Sequence, residues 1–467
     1  MEEQQLKKGL KTRHLTMISL GGIIGAGLFV GSGAVINQTG PGAVVSYAIA
    51  GLLIVLVMRM LGEMAVQNPD SGSFATYARQ AIGPWAGYTI GWLYWFFWVI
   101  VIAIEATAGG AIMNGWIPAL PIWAWSLVLT FLLTITNVFS VKSFGEFEYW
   151  FAMIKIAAIT LFILLGLAII FGLVPGIPSP GLSNLTGHGG FMPKGFGAIF
   201  VGIVTVVFSF FGSEIAAVAA SESENPQKSV MIAIRSVVWR ILLFFIGSVA
   251  VLVTLLPWNA GDALKSPYVT MLAMLGIPGA AEIMNIVVLV AVLSCLNSAL
   301  YTNSRMLYSL AKQGNAPHAL LKVNKGGVPV RAVWASTFFA YVCAIFSFVS
   351  PDKLFLFLVN ASGAIALLVY LAIAVSHLRM RRKAEQKNPG ALQFKMWLFP
   401  YLTYVTIVGM LAILLAMAFI PDMRSQFYLS LLLTLAVIGS YFLFVKPKEK
   451  RTDEKVNISL RELETRQ

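Results

Sequence analysis

Apolar residues in this chain fall in long, nearly unbroken runs, not in the periods of about 2 or 3.6 that mark half-buried strands and surface helices. A helix needs roughly 20 apolar residues to cross the hydrocarbon core. Runs of that length recur from Thr16 to Val445, separated by segments carrying Pro, Gly or charge. They give about twelve spans, at 16–38, 41–66, 84–113, 122–140, 148–173, 197–222, 237–257, 279–310, 332–350, 354–376, 396–420 and 427–445. Helices satisfy their own backbone in lipid, so the pattern predicts an all-α integral membrane protein. The two longest early loops, 68–83 and 175–195, hold too few apolar residues to form a domain of their own.

Composition agrees: 58% of the 467 residues are hydrophobic and 11% charged, against about 25% charged in soluble domains. The net charge of +13 changes the picture only through its placement. With the N-terminus inside, all but five of the 33 lysines and arginines fall on the cytoplasmic side; Lys194, Lys265, Lys353 and Arg424 lie in outer loops and Lys155 within span five. That asymmetry predicts cytoplasmic termini and removes nucleic acid as a partner. The runs Arg379, Arg381, Arg382, Lys383 and Lys446–Arg451 read as stop signals meeting lipid headgroups. Lys7, Lys8, Lys11 and Arg13 precede a run too long for a signal peptide, so the first span is expected to remain uncleaved.

Enzyme chemistry finds no constellation. Gly25, Gly27 and Gly31 do not keep the dinucleotide-binding spacing, and no phosphate-loop sequence is present. His14, His188, His318 and His377 are scattered, and Cys295 and Cys343 lie in apolar segments. No metal or cofactor is expected.

One run breaks the pattern from within. Ile18–Gly33 (ISLGGIIGAGLFVGSG) is uncharged and glycine-rich, although each glycine in a helix interior costs roughly 0.5–1 kcal/mol relative to alanine. Two readings compensate that cost: close helix packing through Gly21/Gly25 and Gly27/Gly31, or a helix deliberately broken to expose backbone groups to a ligand near the bilayer midplane. Five spans later Phe208-Ser209-Phe210-Phe211-Gly212-Ser213-Glu214 interrupts span six in the same way. Paired interruptions in two halves point to a transporter of inverted repeats. Glu105, Lys155 and Glu214 lie inside spans three, five and six, where an ionisable group costs at least about 2.5–3.5 kcal/mol. Proton transfer is the expected role of the two carboxyls. Lys155 divides evenly between a buried structural pair and a part in transport. Glu222 and Glu224 are expected to be solvated or paired with Lys228 or Arg235.

The residues resemble the amino acid permeases of the amino acid–polyamine–organocation superfamily. The match runs from Lys11–His14 through IGAGLFVGSG, TGPG (39–42), RMLGEMA (59–65), PDSGSFATYA, FGSEIAAVAASESENP (211–226), SCLNSALYTNSRMLYSLA (294–311) and NASGAIALLVYLAIAVS (360–376). Segments 83–106, 140–150, 236–241 and 395–403 look most like the γ-aminobutyrate permeases of bacteria.

The resemblance implies a LeuT-like 5+5 inverted repeat plus two extra helices. The chain would then divide into an N-terminus (1–15), a core of two halves (16–173 and 197–376), a basic cytoplasmic loop (377–395), helices 11–12 (396–445) and a tail (446–467). It implies proton-coupled uptake of an amino acid, most similar to γ-aminobutyrate, across the bacterial cytoplasmic membrane. Another neutral amino acid, such as proline or an aromatic one, is the competing cargo, and a non-transporting sensor is a remoter alternative. Residue by residue, it places the substrate carboxylate on the amides of Gly25, Ala26 and Gly27. The ammonium goes to the carbonyls of Phe208, Ser209, Phe211 and Gly212, with Phe208 as gate. Glu105 is placed near the substrate's amino end, Lys155 where sodium-coupled relatives bind a cation, and Asn297 and Ser362 against the cavity.

Overall fold

The computed structural model describes residues 17, 23–70, 73–139, 141–215, 226–274, 276, 278–346, 351–387 and 394–447. The N-terminal segment, Ile18–Gly22, Glu222, Glu224 and the tail beyond Pro447 lie outside the described residues.

Among the described residues, each expected span overlaps helix. The first comprises α1 (Ala26–Phe29) and α2 (Gly31–Thr39). It is followed by α3 (Ala43–Gln67), the short α4 (Ser73–Ala81), α5 (Pro84–Trp116), α6 (Ile122–Phe139), α7 (Val141–Ile170) and α8 (Gly195–Phe210). The second half holds α9 (Pro226–Arg240), a π-helical turn (Ile241–Gly247), α10 (Ser248–Leu255), α11 (Pro267–Ala273), α12 (Ala280–Lys312), α13 (Val330–Phe346) and α14 (Pro351–Lys387). Last come α15 (Tyr401–Phe419) and α16 (Arg424–Ser440).

Among the described residues, nine helical stretches are long and apolar enough to cross a membrane. The α8 helix falls short because it ends at the break. Where helices were expected to stop, two continue: span seven begins at Pro226, and span ten runs to Lys387, which turns the first part of the basic loop into helix. An uninterrupted run of helix formers from Leu378 to Lys387 accounts for the latter.

Packing depth follows the apolar pattern around each helix. The most apolar window of α5 is 78% buried, and that of the last span only 11%. Accordingly α5 is the interior pillar, touching α4, α6, α12 and α14. The WLYWFFW cluster lies on it, with Tyr94, Phe97 and Trp98 fully buried among neighbouring helices. A helix apolar on all sides suits that place.

One charged group at the α3 end departs from expectation. Arg381 is buried against Glu63, Nη1 donating to Oε1 over 2.7 Å, and its Nε donates to Glu385 over 2.8 Å. Glu63 also accepts the Met396 amide (2.6 Å) and lies 3.2 Å from His377 Nε2. Thus Arg381 is a structural cation that joins α3 to α14 and to the segment before α15, not a headgroup contact. Nearby, Arg59 donates to the Lys395 carbonyl (2.9 Å) and lies over the rings of Phe394 and Trp397.

Candidate functional site

Both suspected interruptions are real breaks. Gly25 is extended (φ −145°, ψ −148°), and helix begins at Ala26. The first amides of a helix have no partner within it. That of Ala26 donates instead to both carboxylate oxygens of Glu105, at 3.2 and 3.0 Å. A side chain at Gly25 would forbid this approach, since its Cβ would lie 2.6 Å from Glu105 Oε1 and 2.8 Å from Cys295 Cβ.

In span six the helix stops at Phe210; Phe211 is extended (φ −66°, ψ 142°) and Gly212 takes φ +103°. The Gly212 amide is capped by both oxygens of Glu214 (3.1 and 3.0 Å). Alanine at 212 would have to adopt that left-handed backbone with Cβ 2.6 Å from Ile23 Cγ2. We expect Gly212→Ala to cost about 1–3 kcal/mol, read as a lowered unfolding temperature of the detergent-purified protein.

The two breaks meet. Ser209 Oγ donates to the Gly27 carbonyl (2.8 Å), and a Cβ at Gly27 would lie 2.9 Å from Ser209 Cα. Gly31, expected to be a packing residue, has room: its Cβ would find nothing nearer than the Ala26 carbonyl at 3.6 Å. Close packing and broken backbone therefore coincide at Gly25 and Gly27 instead of dividing between different glycines.

Aromatic rings cover this junction. Phe211 lies at the centre, 3.8 Å from Phe97, 4.9 Å from Tyr370 and 5.6 Å from Tyr94 between ring centroids. Phe208, expected at the gate, is buried at the edge of the cluster, 6.4 Å from Phe97. Beneath the rings Glu214 accepts hydrogen bonds from Tyr94 (3.1 Å) and Tyr370 (3.0 Å). Arg240, fully buried, donates to the adjacent Ser213 hydroxyl (3.1 Å). By sequence it falls with the basic residues of the cytoplasmic side, at the start of the expected seventh span; the fold buries it.

A second buried ionic group lies on α7 and α12. Lys155 Nζ donates to Ser294 Oγ (2.7 Å), which donates to Glu148 Oε1 (2.6 Å); ammonium and carboxylate are 3.8 Å apart. Glu148 escaped notice because it stands at the edge of its apolar run. Its seven-residue spacing from Lys155, two helical turns, was the available signal. Asn297 accepts from Asn137 of α6 (2.7 Å), and Ser362 donates to Val359 of its own helix (2.8 Å). Glu105, Ala26, Gly27 and Ser209 are thus brought together, while Asn297 and Ser362 are engaged in helix contacts.

Beyond Glu105, the following turns of α5 line a cavity of about 640 Å³. Thr107, Ala108 and Ala111 form one wall, with Val30 and Ala34 of the first span and Val288 of α12 opposite.

A family model described as "Amino acid permease" matches residues 14–454. The chain belongs to that family. Among relatives of this permease, the gamma-aminobutyric acid permease of Bacillus subtilis (strain 168) is 61% identical, covering 95% of this chain and 94% of its own. That of Escherichia coli (strain K12) is 48% identical, with 94% of each covered. The aromatic amino acid transport protein AroP of Corynebacterium glutamicum is 42% identical over 91% and 92%. A solved manganese transporter of Eremococcus coleocola superposes with TM-score 0.59 at 15% identity, over 92% of both chains. That likeness shows the permease's transporter fold alone. The protein is an all-helical, multi-pass amino acid permease.

Proposed function

We propose that this permease imports γ-aminobutyrate together with protons across the bacterial inner membrane, by alternating access and with both termini cytoplasmic. The observation carrying this reading is a carboxylate, that of Glu105, on the Ala26 amide, which has no helical partner at the first break. Such a helix start is the kind of donor that receives a substrate carboxylate. The C-terminal end of α8 offers the opposite polarity to an ammonium, although the Phe208, Phe210 and Gly212 carbonyls there already accept the Phe211, Ser213 and Ile215 amides. In this reading the amides of Gly25–Gly27 face the acid end, Phe208 gates the site and Glu105 couples the proton. Glu214, Lys155, Asn297 and Ser362 support it. Relatives named for γ-aminobutyrate, together with the asymmetric placement of Lys and Arg, favour the cargo and the orientation.

The relative named for aromatic amino acids gives the competing cargo. Proteoliposomes separate them: labelled γ-aminobutyrate should accumulate when the outside is made acidic, and a protonophore should abolish accumulation. Uptake inhibited by phenylalanine but not by unlabelled γ-aminobutyrate would overturn the cargo. Accumulation indifferent to the pH gradient would overturn the coupling.

A further inference from the structure

We infer that Arg59 of α3 and Arg235 of α9 form a binding site for the phosphate of an anionic membrane lipid. The site is separate from the basic runs 379–383 and 446–451, and it does not depend on which amino acid the permease carries. Both arginines stand on outward faces of their helices. On α3 the outward stripe runs Leu52, Val55, Arg59, with Leu52 61% exposed. On α9 it runs Ile232, Arg235, Trp239, with Trp239 73% exposed. In a membrane-spanning bundle such apolar exposure is contact with lipid. A cation there is costly unless it reaches a headgroup or a counter-ion.

The two cations are neighbours. Gly62, one turn past Arg59, is packed between α9 and the approach to α15: its Cβ would lie 2.9 Å from Ile234 and 3.0 Å from Phe394. The positive charge of Arg235 acts on Arg59 across this gap. Of the acids, the one whose charge reaches Arg59 is Glu63. That carboxylate is on the buried face of α3 and is already held by Arg381 and the Met396 amide. Among the described residues, no acid forms an ion pair with either Arg59 or Arg235.

Arg59 is also fixed in place. Its guanidinium lies 4.4 Å over Phe394 and 4.1 Å over Trp397, and its Nε is committed to the Lys395 carbonyl. Its two terminal nitrogens are left as a rigid fork of donors, the geometry that suits a phosphate. Beside them Leu398 and Tyr401, each 74% exposed, form an apolar wall for acyl chains. Inorganic phosphate could use the donors alone; a phospholipid uses donors and wall together. A phosphate seated between the guanidinium groups replaces one repulsion with two attractions, and it ties α9 to α3 and to the approach to α15.

The test is lipid binding to the full-length protein, stripped of lipid in a neutral detergent. Native mass spectrometry counts bound lipid, and the unfolding temperature is read in parallel. The probes are phosphatidylglycerol, phosphatidylcholine with the same acyl chains, and inorganic phosphate. Wild type should bind a single phosphatidylglycerol at least about tenfold more tightly than phosphatidylcholine and should unfold at a higher temperature with it. Inorganic phosphate should leave that temperature unchanged. Arg235→Gln, a change on an exposed face, should lower the affinity for phosphatidylglycerol about tenfold, and Arg235→Lys should lower it less. Arg59→Gln should lower it at least as much as Arg235→Gln. Arg331→Gln, which removes the same charge from α13, should change nothing. Equal binding of the two lipids, or unaltered phosphatidylglycerol binding in Arg235→Gln, overturns the proposal. A rise in unfolding temperature with inorganic phosphate equal to that with phosphatidylglycerol overturns the lipid as occupant. Should Arg59→Gln lose its fold along with its aromatic contacts, Arg235→Gln decides alone.

Discussion

Gly27→Val should abolish uptake while leaving most of the protein folded. The valine Cβ would enter the space of the Ser209 backbone, 2.9 Å from its Cα, and the contact that would have to yield is main chain. Overpacking of this kind typically costs about 1–3 kcal/mol, which a bundle of this size can absorb. The geometry cannot absorb it, because the Ser209-to-Gly27 hydrogen bond joins the two breaks. Displacement of a binding group by about 1 Å is enough to lower a rate by about 100-fold. Labelled uptake in proteoliposomes, normalised to monodisperse protein, measures this. Gly31→Ala is the matched control: ordinary van der Waals space surrounds its Cβ, and alanine improves helix propensity. Equal activity in both variants would mean that the junction of the breaks is not part of transport.

The largest stability effect is expected at Lys155. Removing one partner of a buried ion pair leaves the other charge uncompensated, at about 3–5 kcal/mol. Lys155→Met should therefore strand Glu148, which is fully buried and reaches the ammonium partly through Ser294. Combining Lys155→Met with Glu148→Leu removes both charges, and neutral replacements of buried pairs are often tolerated. Unfolding in a denaturant series should show the double variant more stable than Lys155→Met alone. If the double variant is the less stable of the two, the pair is not the reason Lys155 is kept inside the bundle.

How far the sequence carried this picture depended on whether the signal was local. The helical spans, the break at Gly25 and the break before Gly212 were legible because apolar runs and misplaced glycines are properties of adjacent residues. Pairings were not. Glu63 with Arg381 and Tyr370 with Glu214 join positions far apart in the chain, and nothing at either position names the other. Burial at span ends was misjudged: α14 extends past its most apolar stretch, so Arg381 is carried inward though its neighbours in sequence are basic, and Arg240, flanked by Trp239 and Ile241, turns inward within the seventh span. Lys155 illustrates the remaining case. Its burial followed from the run around it, but its partners, Glu148 and Ser294, are visible only in the fold.

The carboxylate of Glu63 also bears on how the chain can be cut. It takes the Met396 amide as a donor, and Arg59, one turn earlier on α3, takes the Lys395 carbonyl. Both partners belong to the approach to the last two helices, beyond the end of α14. A minimal version ending after α14 would leave an acid short of a ligand and an arginine without its acceptor at the foot of the second span. The terminal pair is thus no removable appendage: the keystone for the foot of α3 is supplied from beyond α14.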